Sequence, residues 1–282
     1  MNLPKSIGAY AFATSDYLDL DYPLDLWIQW NSKFFDKLAI AAYGPIDVTY
    51  PQNVTVKRLE TPHESQNSLN FYSIGKTYAQ HLLTREWKVA LDIDEFVSDR
   101  IDTSKFQEKK AYAIKMRHLY GNLTTEIVNA FPDHYYRIHH GDRKILGDGG
   151  AVAPPYSGRL IYKNAAIDIL RVISGKRESL LNPFFPYQEE IVEIWHTGAL
   201  RRPAVMSKKW RSQIYREINS RIVSNAGRLS ILDMPFDYHM YKRIDPKAIL
   251  KRVDLNDVPE ILQRNKERFH YVDFYDSEYS IS

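Results

Sequence analysis

Apolar and polar positions along residues 6–97 switch repeatedly between two periods. SIGAYAFAT is a run of small and apolar side chains, the pattern of a buried strand. After an acidic stretch, Leu24, Trp27, Ile28, Phe34, Phe35 and Leu38 recur at helical spacing. KLAIAAYG reads as a second buried strand, stopped by Gly44-Pro45, and VTVKRLE as a third, stopped by Thr61-Pro62. Leu69, Tyr72, Ala79, Leu82 and Leu83 line one face of a second helix. WKVALDIDEFV closes the series, apolar from Val89 to Leu91 and crowded with acids at its end. Strands and helices in this order predict an α/β fold with a mostly parallel sheet flanked by helices.

The second half is less regular. KKAYAIKMRHLYGN reads as a strand carrying Arg117 and His118 outward, and the His-, Gly- and Pro-rich stretch from Phe131 to Gly158 as short strands at most. A helix is predicted from Pro203 to about Asn225, because Pro203 suits a first turn and Met206, Trp210, Ile214, Ile218 and Ile222 recur every four residues. A last helix is predicted over Asp257–Phe269, with Pro259 near its start. The division that follows is an α/β catalytic domain over residues 1–200 and a helical C-terminal extension, 201–282, packed on the same domain.

Composition narrows this picture. With 282 residues, 44% hydrophobic and 26% charged, the chain can bury one large core. No apolar run approaches the ~18 residues of a membrane span, and SIGAYAFA, which faintly imitates a signal peptide, contains Tyr10 and leads into an acidic stretch, so a first strand and a cytoplasmic protein are expected. Cysteine is absent, which excludes disulfides, thiolate zinc sites and cysteine nucleophiles. A net charge of +3 gives no argument for a nucleic-acid partner. From His196 to Arg228, however, eight Lys or Arg residues stand against one acid, Glu217. The plain reading is a solvated helix face; the alternative is peripheral contact of 201–228 with the inner face of a membrane.

The candidate chemistry lies at Asp92-Ile93-Asp94-Glu95. In open α/β sheets ligands bind beyond the carboxyl ends of the strands, where this cluster falls. Two aspartates one residue apart at a strand end point the same way and repel, so a hard divalent cation, Mn²⁺ or Mg²⁺, is their natural partner. Bridging a diphosphate, such a cation neutralises charge on a leaving group. Isolated Asp-x-Asp triplets often only cap turns; the apolar strand before this one, with Glu95-Phe96 after it, strengthens the functional reading. Haloacid-dehalogenase-like phosphohydrolases also place Asp-x-Asp after an apolar strand, but on the first strand and with Thr or Val where this chain has Phe96.

ALDIDEF resembles the acidic motif of family 2 glycosyltransferases. IWHTGALRRPAVMSKK is similar to a C-terminal stretch of some members, matched at His196, Gly198, Arg201, Pro203, Met206 and Lys209; MRHLYGN and ILGDGG also resemble that subgroup. The resemblance covers most of residues 85–210. It implies a glycosyltransferase A-type fold and a metal-dependent transferase that moves a sugar from a nucleotide-diphosphate donor to an acceptor hydroxyl with inversion, the acceptor being a glycan, lipid-linked or protein group. It further implies that Asp94 ligates the metal, that Asp92 binds it or the donor ribose, and that His196 reaches metal or diphosphate, with Glu95 a further candidate. Inversion needs a base; Asp148, in Gly147-Asp148-Gly149, is the first candidate, with Asp142 and Glu126 in reserve. Arg201 and Lys209 would neutralise the diphosphate, Arg202 and Lys208 being solvated, and Glu60 would meet the donor base or ribose. Tyr135, Tyr136 and Tyr156 flank the Gly-rich region, where sugar rings could stack, but most tyrosines simply pack with a polar tip exposed and no individual contact is assigned. Lys76 and His81 have no stronger claim than surface placement.

Two departures qualify the match. The Asn-Glu pair usual after the first strand and the Gly-Ser-x-Asp-Gly-Thr run after the second are replaced by ATSDYLDLD and AAYGPIDVT, so the donor base and sugar do not carry over. The competing readings are a catalytically silent sugar- or nucleotide-binding module of the same fold, and a nucleotidyltransferase. The latter needs a Gly-rich phosphate loop, and Ser6–Asp16 offers only Gly8.

Overall fold

Strand β1 (Ile7–Ala13) is buried along its whole length, and its alternating side chains belong to two different cores. The computed structural model describes residues 5–13, 21–44, 46–60, 69–104, 106, 111–128, 134–142, 145–146, 151–152, 192–207 and 248–273. Ile7, Ala9, Ala11 and Ala13 face a layer that includes Leu24, Trp27 and Ile28 of helix α1 (Leu24–Asn31). Tyr10 and Phe12 face the other way, toward Ala79 of helix α2 (Leu69–His81) and Leu83 just beyond it. Gly8 and three alanines make up most of β1, and α2 approaches that strand and its neighbour β2 (Lys37–Tyr43) closely. At Gly75 of α2 a Cβ would stand 2.2 Å from the Phe12 ring.

β2 and strands β3 (Val54–Leu59) and β4 (Trp87–Ala90) run parallel to β1 in the order β3-β2-β1-β4. The chain therefore builds outward from β1 to β3, then returns over the sheet through α2 to lay β4 on the other side of β1. Strand order reverses between β1 and β4, and the crevice beyond their carboxyl ends is where open α/β sheets take ligands.

Beyond β4 the pairings are antiparallel, except that of the eleventh strand with the sixth, which is parallel. Strand β5 (Glu95–Val97) is short; β6 (Ala111–Tyr120) is long and turns through Gly121, at φ 74°, into β7 (Asn122–Val128). β8 (His134–His140) lies between β4 and β6, and a two-residue pair, β9 (Ile145–Leu146) with β10 (Ala151–Val152), forms a separate ribbon. β11 (Glu193–Ala199) takes over from β8 along the same edge of β6: Lys115 is the hand-over, registered with His134 and with Glu193. β11 also pairs antiparallel with β5, and β12 (Ile249–Arg252) closes the far edge against β7.

The α/β class agrees with the pattern read from the chain, with three corrections. Among the described residues the main sheet has ten strands and is mixed rather than mostly parallel, with tight turns such as Gly121 in place of helical crossovers after β4. Segment 134–140 is a seven-residue strand paired with β6 and, over Ile138–His140, with β4, rather than a short strand at most. The last helix is broken into a 3-10 turn (Leu255–Asp257), a four-residue helix α3 (Glu260–Gln263) and a second 3-10 turn (Lys266–Arg268). Pro259 caps α3 and cannot lie inside a longer helix. With β12 in the main sheet, the described part of the C-terminal segment is an integral edge of the α/β layer as well as helical turns. Residues 203–207 are helical; the rest of the helix predicted to Asn225 lies outside the described residues. Among the described residues no helix is long and apolar enough to cross a membrane.

Candidate active site at the switch point of the sheet

Leu91 still bonds β1, its N–H donating to the Tyr10 carbonyl at 3.0 Å. The chain then leaves the sheet, and Asp92 to Glu95 form a turn closed at both ends. Glu95 N–H donates to the Asp92 carbonyl (3.0 Å), and Asp92 N–H donates to Glu95 Oε2 (2.8 Å). The two aspartates therefore sit on a turn rather than alternating along a strand, and the turn separates their roles.

Asp92 faces two cations. Lys76 Nζ stands 2.6 Å from its Oδ1, and Arg137 Nη2 stands 3.3 Å from its Oδ2. Burial opposes ionisation of Asp92, but Lys76 and Arg137 outweigh it and hold the carboxyl well below the usual carboxylate range. Arg137 also bonds Glu95 Oε1 at 2.6 Å, with both side chains almost wholly buried. Burial pushes the Glu95 carboxyl up to about 8 against the pull of Arg137, with the charges of Asp92 and Asp94 adding to the rise.

Asp94 faces the other way, toward β11. Its carbonyl accepts from Thr197 N–H (2.8 Å) and from the Thr197 hydroxyl (3.0 Å), which locks the turn to that strand. His196 Nε2 lies 3.6 Å from Asp94 Oδ2, and Arg201 Nη2 lies 4.0 Å from the same oxygen. Gly198 makes this approach possible: a Cβ there would stand 2.3 Å from His196 Cε1, 2.6 Å from its Nε2 and 3.0 Å from Asp94 Oδ2. Behind His196, its Nδ1 meets Nδ1 of His118 at 3.3 Å, the rings crossing at 70°.

The supports explain why the turn is held. From α1, Asn31 is fully buried and imitates a strand, its amide donating to the Glu95 carbonyl (3.0 Å) and accepting from Val97 N–H (3.2 Å). Trp30 Nε1 donates to the Val97 carbonyl at 2.7 Å. Arg201 is buried, its Nη1 donating to the carbonyls of Thr197 and Leu200 at 2.8 Å each, and its guanidinium lies 4.6 Å from the Tyr22 ring centroid.

Asp92, Asp94, Glu95, His196 and Arg201 are thus brought together, and Lys76, Arg137, His118 and Gly198 join them. Lys76 is a correction: it is 1% exposed and bonded to Asp92 rather than on the surface. His118 and Arg117 are also corrected, since neither stands outward. His118 is 8% exposed, and Arg117 lies over Trp195 and bonds Glu126 at 2.8 Å. Glu60 is exposed at the end of β3, three strands from β4, about 14 Å away by strand spacing. Asp142 sits at the opposite end of β4, against Lys88 and 3.6 Å from exposed His81. Arg202 is exposed and pairs with Asp21 at 2.7 Å. Asp148, Lys209, Lys208 and Tyr156 lie outside the described residues, as do the side chains of Tyr135 and Tyr136.

Among the described residues no three His, Asp or Glu side chains converge as a ready-made metal cage. Asp94 and His196 nonetheless suit a cation that takes only one or two protein ligands and fills its shell with water and phosphate oxygens. Ligand atoms at adjacent corners of such an octahedron stand about 3 Å apart, close to the 3.6 Å observed between Oδ2 and Nε2. No protein-family model matches the chain, and no curated protein matches it.

Proposed function

We propose that this chain is a metal-dependent glycosyltransferase that moves a sugar from a nucleotide-diphosphate donor to an acceptor hydroxyl with inversion. The observation that carries the reading is the acidic turn beyond β1 and β4, at the switch point of the sheet, with His196 brought across to Asp94.

Asp94 and His196 would hold Mn²⁺ or Mg²⁺, which when bound supplies Lewis-acid neutralisation of the leaving diphosphate. Asp92, kept ionised and oriented by Lys76 and Arg137, would accept a hydrogen bond from the donor ribose. Arg201 fixes the loop after β11 and adds positive potential behind Asp94. Asp148 is proposed for the acceptor proton, and Glu60 and Lys209 for outer contacts of the donor.

Charge accounting favours joint binding. Asp92 and Asp94 face Lys76, Arg137 and Arg201, and Glu95, its carboxyl pushed up to about 8, adds little negative charge near neutral pH, so these groups offer a bare divalent cation no net negative charge. Asp94 and His196 would therefore hold the cation together with its diphosphate, whose negative charge would complete the balance.

The test is thermal-shift titration with UDP, GDP, CDP and TDP, with and without Mn²⁺, on the wild type and Asp94→Ala. One nucleotide should raise the melting temperature only with metal, and Asp94→Ala should lose that rise. Binding of that nucleotide sugar without turnover, even with candidate acceptors, would favour the silent module instead. No shift with any nucleotide or metal would remove the transferase reading.

A further inference from the structure

We propose that His118 is the positioning residue for His196, holding its ring by the Nδ1 contact so that Nε2 is presented beside Asp94 as a ligand. The proposal rests on the metal-dependent reading above, but its central contact is open to test without metal.

His118 and His196 are partners in register on parallel strands β6 and β11, so their side chains rise from the same face of the sheet. The ring centroids are 5.1 Å apart and the two Nδ1 atoms 3.3 Å apart. A contact that short between two ring nitrogens carries one proton: one ring donates and the other accepts. On the far side of His196, Nε2 lies 3.6 Å from Asp94 Oδ2. A neutral imidazole that gives its Nε2 lone pair to a cation must carry its own proton on Nδ1. His118 is the group placed to accept that Nδ1–H.

The surroundings leave His196 little choice of pose. Gly198 sits against Cε1 and Nε2, where even a methyl group would collide. His118 is 8% exposed, while the His196 side chain is 26% exposed, so the buried ring backs the accessible one. The arrangement is that of a ligand oriented by an outer partner on its second nitrogen.

The experiment compares wild type with His118→Asn, His118→Leu and His118→Phe. The Asn carboxamide can put an oxygen acceptor near the Nδ1 position; Leu and Phe fill space without one. Circular dichroism and melting temperature establish that each is folded. The first readout is ¹⁵N NMR of histidine-labelled, metal-free protein at pH about 8, above the ordinary histidine range. His196 should show one defined tautomer in wild type and His118→Asn, and averaging between tautomers in the Leu or Phe variant. In protein loaded with Mg²⁺ and inorganic pyrophosphate, His196 should be protonated on Nδ1. The second readout is affinity for Mn²⁺ in the presence of inorganic pyrophosphate, expected to fall about 10–100-fold in the Leu and Phe variants and to be largely restored by Asn. A tautomer average at His196 in the wild type overturns the proposal, as does equal behaviour of Asn and Leu. Failure of the wild type to bind Mn²⁺ with pyrophosphate, together with a single His118-dependent tautomer, would remove the metal while leaving the positioning role in place.

Discussion

The Cα of Gly198 lies so close to His196 that a methyl group on it would stand 2.3 Å from the imidazole Cε1 and 3.0 Å from Asp94 Oδ2. Neither neighbour is the free end of a long side chain. His196 is backed by His118, and the Asp94 carbonyl is held by Thr197. Gly198→Ala should therefore displace His196 from Asp94 at an overpacking cost of about 1–3 kcal/mol. The measurable outcome is a folded protein that no longer gains a metal-dependent nucleotide shift. A variant that keeps the full shift would show that the spacing of these two groups is irrelevant to binding.

Lys76 and Arg137 are expected to differ in what their removal costs. Arg137→Met takes from buried Glu95 its hydrogen-bonding cation and from ionised Asp92 one of its two, and about 3–5 kcal/mol should be lost in urea unfolding. Lys76→Met should cost less, about 1–3 kcal/mol, because the Asp92 side chain is 32% exposed and water replaces part of the lost partner. In a double-mutant cycle with Asp92→Asn, Lys76→Met should show coupling above about 0.5 kcal/mol. Additive losses would mean that the 2.6 Å pair has no energetic reality.

Gly75 tests how the site is reached from α2. A Cβ there would fall 2.2 Å from the Phe12 ring, so Gly75→Ala must lift the helix off β1 or turn the ring. We expect destabilisation of about 1–3 kcal/mol, relieved by Phe12→Leu on the facing strand. Lack of relief in the pair would place the strain elsewhere.

Arg268 donates to Asp25 at 2.9 and 3.2 Å and ties the last 3-10 turn to α1. Partial burial raises the Asp25 carboxyl, but the hydrogen bond and charge of Arg268 outweigh it and leave it below the ordinary aspartate value. With its folded value depressed, the pair stabilises above the unfolded pKa and loses that contribution as pH falls. The side chains are 41% and 50% exposed, so Arg268→Ala should cost under about 1 kcal/mol near pH 7. The difference in melting temperature between variant and wild type should close as the pH falls below about 4. A difference that persists in acid would point to packing rather than the ion pair.

Some of what the structure assembles was already marked in the chain. Lys76 lies on the same helical stripe as Tyr72, Ala79 and Leu83, at spacings of four and three, and a lysine on an apolar stripe needs a buried partner. His118 lies within one of the segments matched by resemblance. Arg137 carried no comparable mark: in HYYRIHH it is one polar residue among several, and its burial depends on β8 being covered by β4 and β6.

From its sequence alone the chain determined its α/β class, its first strands and helices, and an acidic cluster at the end of β4. The elements are written in local periodicity, which decides the side a residue faces, and the cluster in its place after an apolar strand; that the cluster is a turn which points Asp92 and Asp94 apart was not written there. Which cations meet Asp92 and Glu95, and which histidine backs His196, was decided only by the tertiary structure. Arg137 lies 45 residues from Asp92 and 42 from Glu95, and His118 lies 78 from His196. Contacts at such separations depend on strand order and register, which are settled when the whole sheet packs rather than by any one segment.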